Sequence, residues 1–283
     1  MKKLAIIGVG NWGKNLIREY SRISDVLFFS NLSNEDDRDW IHESYPQIAF
    51  ASINSILEND SLDAVVIATP IDTHFDLCKK ALLSGKHVFI EKPITDSYLK
   101  AKELEKIVLK TRLVLFVGHI FLYHEVFDKI NSLGENIDYI EFSWNKFGTF
   151  KEDIYYNLVI HALSITNTLL GCPQGFKTRF SNADRVDLEL MYKNARALVK
   201  IDRRCHEKRF RVFVHTESNS YLWIDDRLLV LDDETYKPLF KAFRSSLEHE
   251  CGEFIDMIDN YSKARDRLRS AIGFVRAMEE IRK

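Results

Sequence analysis

The sequence predicts an α/β domain with a parallel sheet, followed by an α+β domain with a largely antiparallel open sheet. Three observations carry this. Short apolar runs alternate with helix-like stretches through the first 119 residues, the pattern of strand–helix–strand units. A glycine-rich turn, Gly8-Val9-Gly10-Asn11-Trp12-Gly13, joins the first strand to the first helix. Beyond about residue 139, strand-like segments mostly succeed one another without helices, which implies antiparallel pairing. The boundary therefore falls between a first domain at 1–119 and a second at 120–283, with the final helices free to pack back on the first.

Composition narrows the function. The chain has 283 residues, with 40 basic and 42 acidic side chains, and this near-neutral balance argues against a nucleic-acid binder. Apolar stretches such as Leu4–Ile7 and Ala64–Ala68 are too short to span a bilayer, so no membrane role is expected. Met1-Lys2-Lys3 leads straight into a strand without an apolar signal region. Cys78, Cys172, Cys205 and Cys251 show no paired spacing, so neither a metal site nor a disulfide framework is expected, and a cytoplasmic location fits.

In the first strand, Lys3 to Ile7 is apolar and ends in glycine, as a strand buried on both faces does. Gly8 permits a tight turn, Gly10 lets a pyrophosphate approach the backbone, and Gly13 lets helix and strand pack closely. A helix over Lys14–Tyr20 would offer its N–H groups to phosphates. This is the pattern of a Rossmann dinucleotide-binding domain. After a second strand at Val26–Phe29 comes Ser30-Asn31-Leu32-Ser33, where an acid would be expected to bond the ribose. Asn31 either bonds a ribose hydroxyl or simply ends the strand, and NAD versus NADP stays open. Asp63–Ala68, Lys86–Ile90 and Leu113–Val117 read as further strands, with helices at Thr73–Ser84 and from an Asp96 cap through Lys110. Ligands of such sheets gather at the carboxyl ends of strands, where Thr69-Pro70, Glu91-Lys92-Pro93 and His119 stand.

On these residues the chain resembles the Gfo/Idh/MocA family of NAD(P)-dependent sugar oxidoreductases. The resemblance rests on Gly8–Gly13, on Ala68-Thr-Pro-Ile-Asp-Thr-His74 and above all on Glu91-Lys92-Pro93. Gly118–His124 and Asp153–His161 extend it over nearly the whole chain. It implies that NAD or NADP is held by the glycine loop with Asn11 and Trp12, by Asn31, by Thr69, Pro70 and His74, and by Glu91, Lys92 and Pro93. It also implies a cis bond before Pro93 and a homo-dimer or homo-tetramer packed through the second sheet.

The second half supplies the remaining chemistry. Leu122–Leu133 is helix-like. Strands are predicted at Tyr139–Phe147, Phe176–Asn182, Arg185–Tyr192, Arg196–Arg203, Arg209–Glu217, Tyr221–Ile224 and Leu228–Leu231, with hairpin turns at Tyr192–Ala195 and Cys205–Lys208. Between the first two of these strands, Asp153–Leu170 has helical periodicity, and Gly171 and Pro173 end it. Asn157 and His161 lie four apart on one helix face. The resemblance makes His161 the proton acceptor or donor. Asn157 stands where many relatives carry aspartate, and Ala162 where aspartate is frequent. A later helix over Ser246–Tyr261 places Glu250, Phe254 and Ile258 on one face, and a final helix covers Ala264–Ile281.

The expected reaction moves a hydride between nicotinamide and a ring hydroxyl or ketone of a sugar. His161 exchanges the proton and Lys92 stabilises the reacting oxygen, unless burial reverses the two roles. Asn157 orients a hydroxyl or the imidazole, and His119 and Tyr123 contact substrate. The resemblance favours a nucleotide-activated hexose or hexosamine oxidised at C3, with free sugars or inositols as alternatives. Lys200, Arg203, Arg204, Lys208, Arg209 and Arg211 either meet its diphosphate or form a solvated hairpin face. Two readings of another kind remain: an NAD(H)-binding regulatory protein without catalysis, and a reductase of an imine or enone with Lys92 as donor.

Overall fold

The computed structural model describes residues 1–31, 36–148 and 152–282; Leu32 and Ser33 of the second strand's expected turn lie outside them. The chain divides into two compact units, Met1–Gly118 with Leu247–Val275, and His119–Ser246 with Arg276–Lys283.

In the first unit, β1 (Lys3–Ile7) leads to α1 (Asn11–Ile23) and β2 (Asp25–Ser30). Then come α2 (Asp36–Ser44), β3 (Ala49–Phe50), α3 (Ile53–Leu57) and β4 (Ala64–Ile67). The alternation ends with α4 (Ile71–Leu83), β5 (His87–Glu91), α5 (Tyr98–Thr111) and β6 (Leu115–Gly118). The strands pair in parallel in the order β3-β2-β1-β4-β5-β6. Leu4–Ile7 and all of β4 have no exposed surface, as apolar strands covered on both faces should. The order reverses between β1 and β4, which opens a crevice at their carboxyl ends.

Several boundaries differ from the sequence expectation. Helix α1 begins at Asn11 rather than Lys14, so the second half of the glycine motif already lies in its first turn. Ser97, not Asp96, occupies the cap position of α5, while Asp96 pairs with Lys100 at 2.9 Å. The short elements α2, β3 and α3 fill a stretch whose polar sequence shows no period.

In the second unit, the expected helix over Leu122–Leu133 is split. A 3₁₀ turn, Ile120–Tyr123, precedes α6 (Glu125–Asn131) because His124 breaks in as its cap, its Nδ1 accepting from the Val126 N–H at 3.1 Å. The following strand is β7 (Ile137–Asn145). A π turn over Tyr155–Val159 then leads into α7 (Ile160–Leu170). Seven strands follow: β8 (Gly175–Ser181), β9 (Arg185–Met191), β10 (Arg196–Asp202) and β11 (Arg209–Thr216), then β12 (Ser220–Ile224), β13 (Arg227–Asp232) and β14 (Thr235–Lys241).

The sheet runs β14-β13-β12-β11-β7-β10-β9-β8. It is antiparallel except where β10 lies parallel to β7. That exception corrects one expectation. Tyr192–Ala195 is a hairpin turn closed by a 2.9 Å backbone bond, but Cys205–Lys208 is not, because β10 and β11 lie on opposite sides of β7. The segment instead crosses the end of β7, where the Asn145 amide approaches the Cys205 sulfur at 3.2 Å.

Helices α8 (Ser246–Ile258) and α9 (Tyr261–Arg282) complete the chain; α8 and most of α9 belong to the first unit. Phe254 on α8 joins an aromatic cluster with fully buried Phe89 and Tyr20. Phe89 stacks on Phe116 at 5.4 Å and meets the edges of Tyr20 and Phe254 at 5.9 and 5.7 Å. Replacing Phe89 by alanine therefore empties the joint between α1, the sheet and α8. We expect a loss of roughly 3–5 kcal/mol in urea unfolding, far more than for the exposed Phe243 changed in the same way.

Candidate functional site

The glycine turn lies at the crevice of the first sheet for steric reasons. Gly8 has φ +96°, and a Cβ there would come within 2.4 Å of the Ala68 carbonyl oxygen. At Gly13 a Cβ would come within 2.0 Å of the Gly8 oxygen, so strand end and helix can approach only without side chains. Around Gly10 nothing lies within 4 Å of a built Cβ. One side of the turn is thus locked against β4 and the other is open, next to the unfilled N–H groups of α1. This arrangement fits a dinucleotide pyrophosphate. The Gly8 N–H donates to the Ser30 oxygen at 2.9 Å, which puts half-buried Asn31 at the same edge of the sheet, one residue beyond β2.

The segment after β4 is tied down in turn. The Thr69 and Thr73 hydroxyls lie 2.6 Å apart, and Thr73 Oγ1 donates to the Pro70 carbonyl at 2.7 Å. His74 is only 2% exposed, with Nδ1 2.9 Å from the Pro93 oxygen and Nε2 2.8 Å from the Thr69 oxygen. Burial lowers its pKa, against the pull of those two carbonyls, and Lys92 adds to the lowering. With both ring nitrogens facing backbone carbonyls, His74 links Thr69 to Pro93 and fixes the segment after β4 against the Glu91-Lys92-Pro93 turn.

Glu91-Lys92-Pro93 ends β5, and the Lys92–Pro93 bond is cis. The Trp12 indole N–H donates to Glu91 Oε1, a link between the glycine turn and this motif that sequence spacing does not show. The Lys92 backbone N–H donates to Glu91 Oε2 at 3.3 Å. Within the first unit the structure therefore brings Gly8, Gly10, Asn11, Trp12, Gly13, Thr69, Pro70, Glu91, Lys92 and Pro93 to one end of the sheet.

In the second unit, His161 lies in the first turn of α7 and is 6% exposed. Its ring meets the edges of Phe121 and Trp144 at centroid distances of 5.1 and 5.6 Å. Phe121 in turn stacks on Phe210 at 4.8 Å, and Phe210 meets Trp223 at 5.2 Å. This aromatic wall was not singled out from the sequence, since its members come from four separate segments. It holds the imidazole in one orientation.

Asn157 sits in the π turn preceding α7, its amide nitrogen 3.4 Å from Glu152 Oε2. The wider π winding changes the angular relation that a continuous α-helix would give Asn157 and His161. His119 and Tyr123 are 3% and 4% exposed. Glu125, which had no assigned role, accepts from the backbone N–H groups of Phe243 and Arg244.

One functional candidate was legible only as a core position. Glu250 on α8 has no exposed surface, and neither carboxyl oxygen has a hydrogen-bond partner among the described residues. Burial raises its pKa well above the usual carboxylate range, and the nearby Glu91 raises it further. Burial also pushes Glu91 up, to about 7, against the opposing effects of Lys92 and the Trp12 indole. The folded protein thus keeps protons on these carboxyls that the unfolded chain releases. Stability falls as pH rises from the ordinary carboxylate pKa toward the folded values. Glu250→Gln removes its share of that loss. In urea unfolding from about pH 5 to about pH 8, the variant should gain stability relative to the parent as pH increases. A difference that stays constant across this range would show that Glu250 does not titrate.

Comparison with known proteins bears on the family and the fold. Over 175 residues the chain is 30% identical to UDP-N-acetylglucosamine 3-dehydrogenase of Acidithiobacillus ferrooxidans, covering 60% of this chain and 54% of that relative. The matched stretch thus spans about half the relative's length. Among solved structures, a UDP-N-acetylglucosamine 3-dehydrogenase from the same organism superposes with a TM-score of 0.85 at 24% identity, covering 97% of both chains. Biliverdin reductase from Synechocystis sp. PCC 6803, in complex with biliverdin and NADP+, gives 0.81 at 17% identity, covering 97% of this chain and 96% of that one. Such distant structural likenesses establish the two-domain fold. No helix of the described residues is long and apolar enough to cross a membrane. Residues 2–119, the stretch that carries the glycine turn and Glu91-Lys92-Pro93, match the family described as "Oxidoreductase family, NAD-binding Rossmann fold".

Proposed function

We propose that the protein is an NAD(P)-dependent oxidoreductase acting on a ring hydroxyl or ketone of a nucleotide-activated hexose or hexosamine, with C3 the favoured position. The carrying observation is Glu91-Lys92-Pro93 at the end of β5, joined through Trp12 to a glycine turn whose open side suits a pyrophosphate. The relative named for UDP-N-acetylglucosamine supports the substrate class. We further propose that the protein works in the cytoplasm as a homo-oligomer.

The cofactor, when bound, supplies the hydride acceptor or donor. Gly8–Gly13 and the first turn of α1 would hold its pyrophosphate, and Asn31 its ribose. Lys92 places positive charge where the reacting oxygen becomes anionic, which lowers the cost of removing its proton. His161 accepts that proton in oxidation and returns it in reduction, its ring held by Phe121 and Trp144. Asn157 cannot act as a base and contributes hydrogen bonds only.

The deciding experiment follows absorbance of the reduced nicotinamide with NAD+ and NADP+ against UDP- and TDP-sugars, free sugars and inositols. Turnover of a nucleotide sugar supports the reading. Tight cofactor binding without turnover across the panel would favour a regulatory protein instead. Lys92→Met should reduce kcat about 100- to 1000-fold. His161→Asn should reduce it about 100- to 10,000-fold. Both should leave NAD(H) affinity near that of the parent, and undiminished turnover in both variants would refute these roles.

A further inference from the structure

The basic stretch from Lys200 to Arg211 is resolved by the register of the second sheet. In β7 the residues facing the helical layer are Ile140, Phe142 and Trp144, the last of which touches His161. Trp144 pairs with Ile201 on β10 and with Phe210 on β11. Because side chains alternate along a strand, Lys200, Arg209 and Arg211 point away from the His161 face. Lys200 is paired with Glu141 at 2.9 Å on that far side. Arg204 is paired with Asp184 at 2.6 Å. Two cations of the stretch remain on the His161 side, Arg203 just past the end of β10 and Lys208 just before β11.

The parallel crossover brings a third cation between them. Lys146 follows the last residue of β7, and its N–H donates to the Asp202 oxygen at 2.9 Å. Its ammonium lies 4.7 Å from the centre of the Trp144 ring, which places it on the His161 face. The crossing segment is held against this strand end by His206, whose ring lies 4.3 Å from that of Phe147. Arg203 is 4% exposed, and its Nη1 donates to the carbonyls of Glu152 and Ala183 at 3.0 and 3.3 Å, so its position is fixed. Burial lowers the Lys146 pKa, and the charges of Arg203 and Lys208 lower it further, against the opposing Glu152. Converging cations repel one another, and a polyanion at this place would relieve the repulsion.

We propose that Lys146 and Lys208, backed by Arg203, form the subsite for the diphosphate of a nucleotide sugar, beside the aromatic wall of Trp144 and Phe210. This deepens the reading given above and rests on it for the identity of the substrate. Lys146→Gln and Lys208→Gln should each weaken UDP binding in calorimetry about tenfold, the loss of one charge-assisted hydrogen bond. Each should raise the KM for a turned-over UDP-sugar by a similar factor, with kcat and NAD(H) affinity little changed. Lys200→Gln, on the opposite face, should leave both UDP affinity and KM unaltered. UDP affinity and KM unchanged in both variants, or no UDP binding by the parent protein, would overturn the subsite. So would an equal loss in Lys200→Gln. Failure of the two proposals is distinguishable. UDP binding that depends on Lys146 and Lys208 without any sugar turnover supports the subsite and refutes the redox reading. Turnover of UDP-sugars that neither substitution affects does the reverse.

Discussion

The backbone contact among Gly8, Gly13 and Ala68 is the constraint on which the first unit depends. Where the sheet changes winding direction between β1 and β4, the connection leaving β1 passes within van der Waals distance of Ala68, the residue just past β4. Any side chain at Gly8 or Gly13 would push α1 away from the sheet. The same closeness aims the first turn of α1 into the crevice and lets the Trp12 indole reach Glu91. Packing, anion affinity and the setting of Lys92 thus follow from one steric fact.

In the second unit the corresponding constraint is topological. A purely antiparallel meander would have put Arg203 and Lys208 at the base of one hairpin with nothing between them. Running β10 parallel to β7 interposes the end of that strand and carries the connecting segment past it, where His206 meets Phe147. Alternation then sorts the cations by face, with Lys146 on the side of Trp144 and Lys200 on the other, paired with Glu141.

These two constraints explain what could be read without coordinates. The glycine turn and Glu91-Lys92-Pro93 were legible because each needs particular residue types at fixed offsets. The strands of the first sheet other than β3 were legible because their interiors are continuously apolar. Elements α2, β3 and α3 were not, since the two-residue β3 and the short helices carry too few apolar positions to show a period. Strand β14 was missed because Pro238 interrupts it and all but one of its residues are exposed. Reading Cys205–Lys208 as a hairpin failed for a different reason: alternation predicts the face of a strand but not its neighbour. Lys146 escaped notice, and Glu250 was legible only as a packing position, because a single charge at a strand end or on an apolar helix face acquires meaning only from residues distant in sequence.

The first unit is discontinuous in the chain, so its sheet is finished on the ribosome well before α8 emerges. At ordinary rates of translation the delay is on the order of ten seconds. Throughout that interval the rings of Phe89, Phe116 and Tyr20 lack their last covering residue. A nascent chain stalled after β6 would present an open aromatic surface, a natural target for chaperones and for proteolysis.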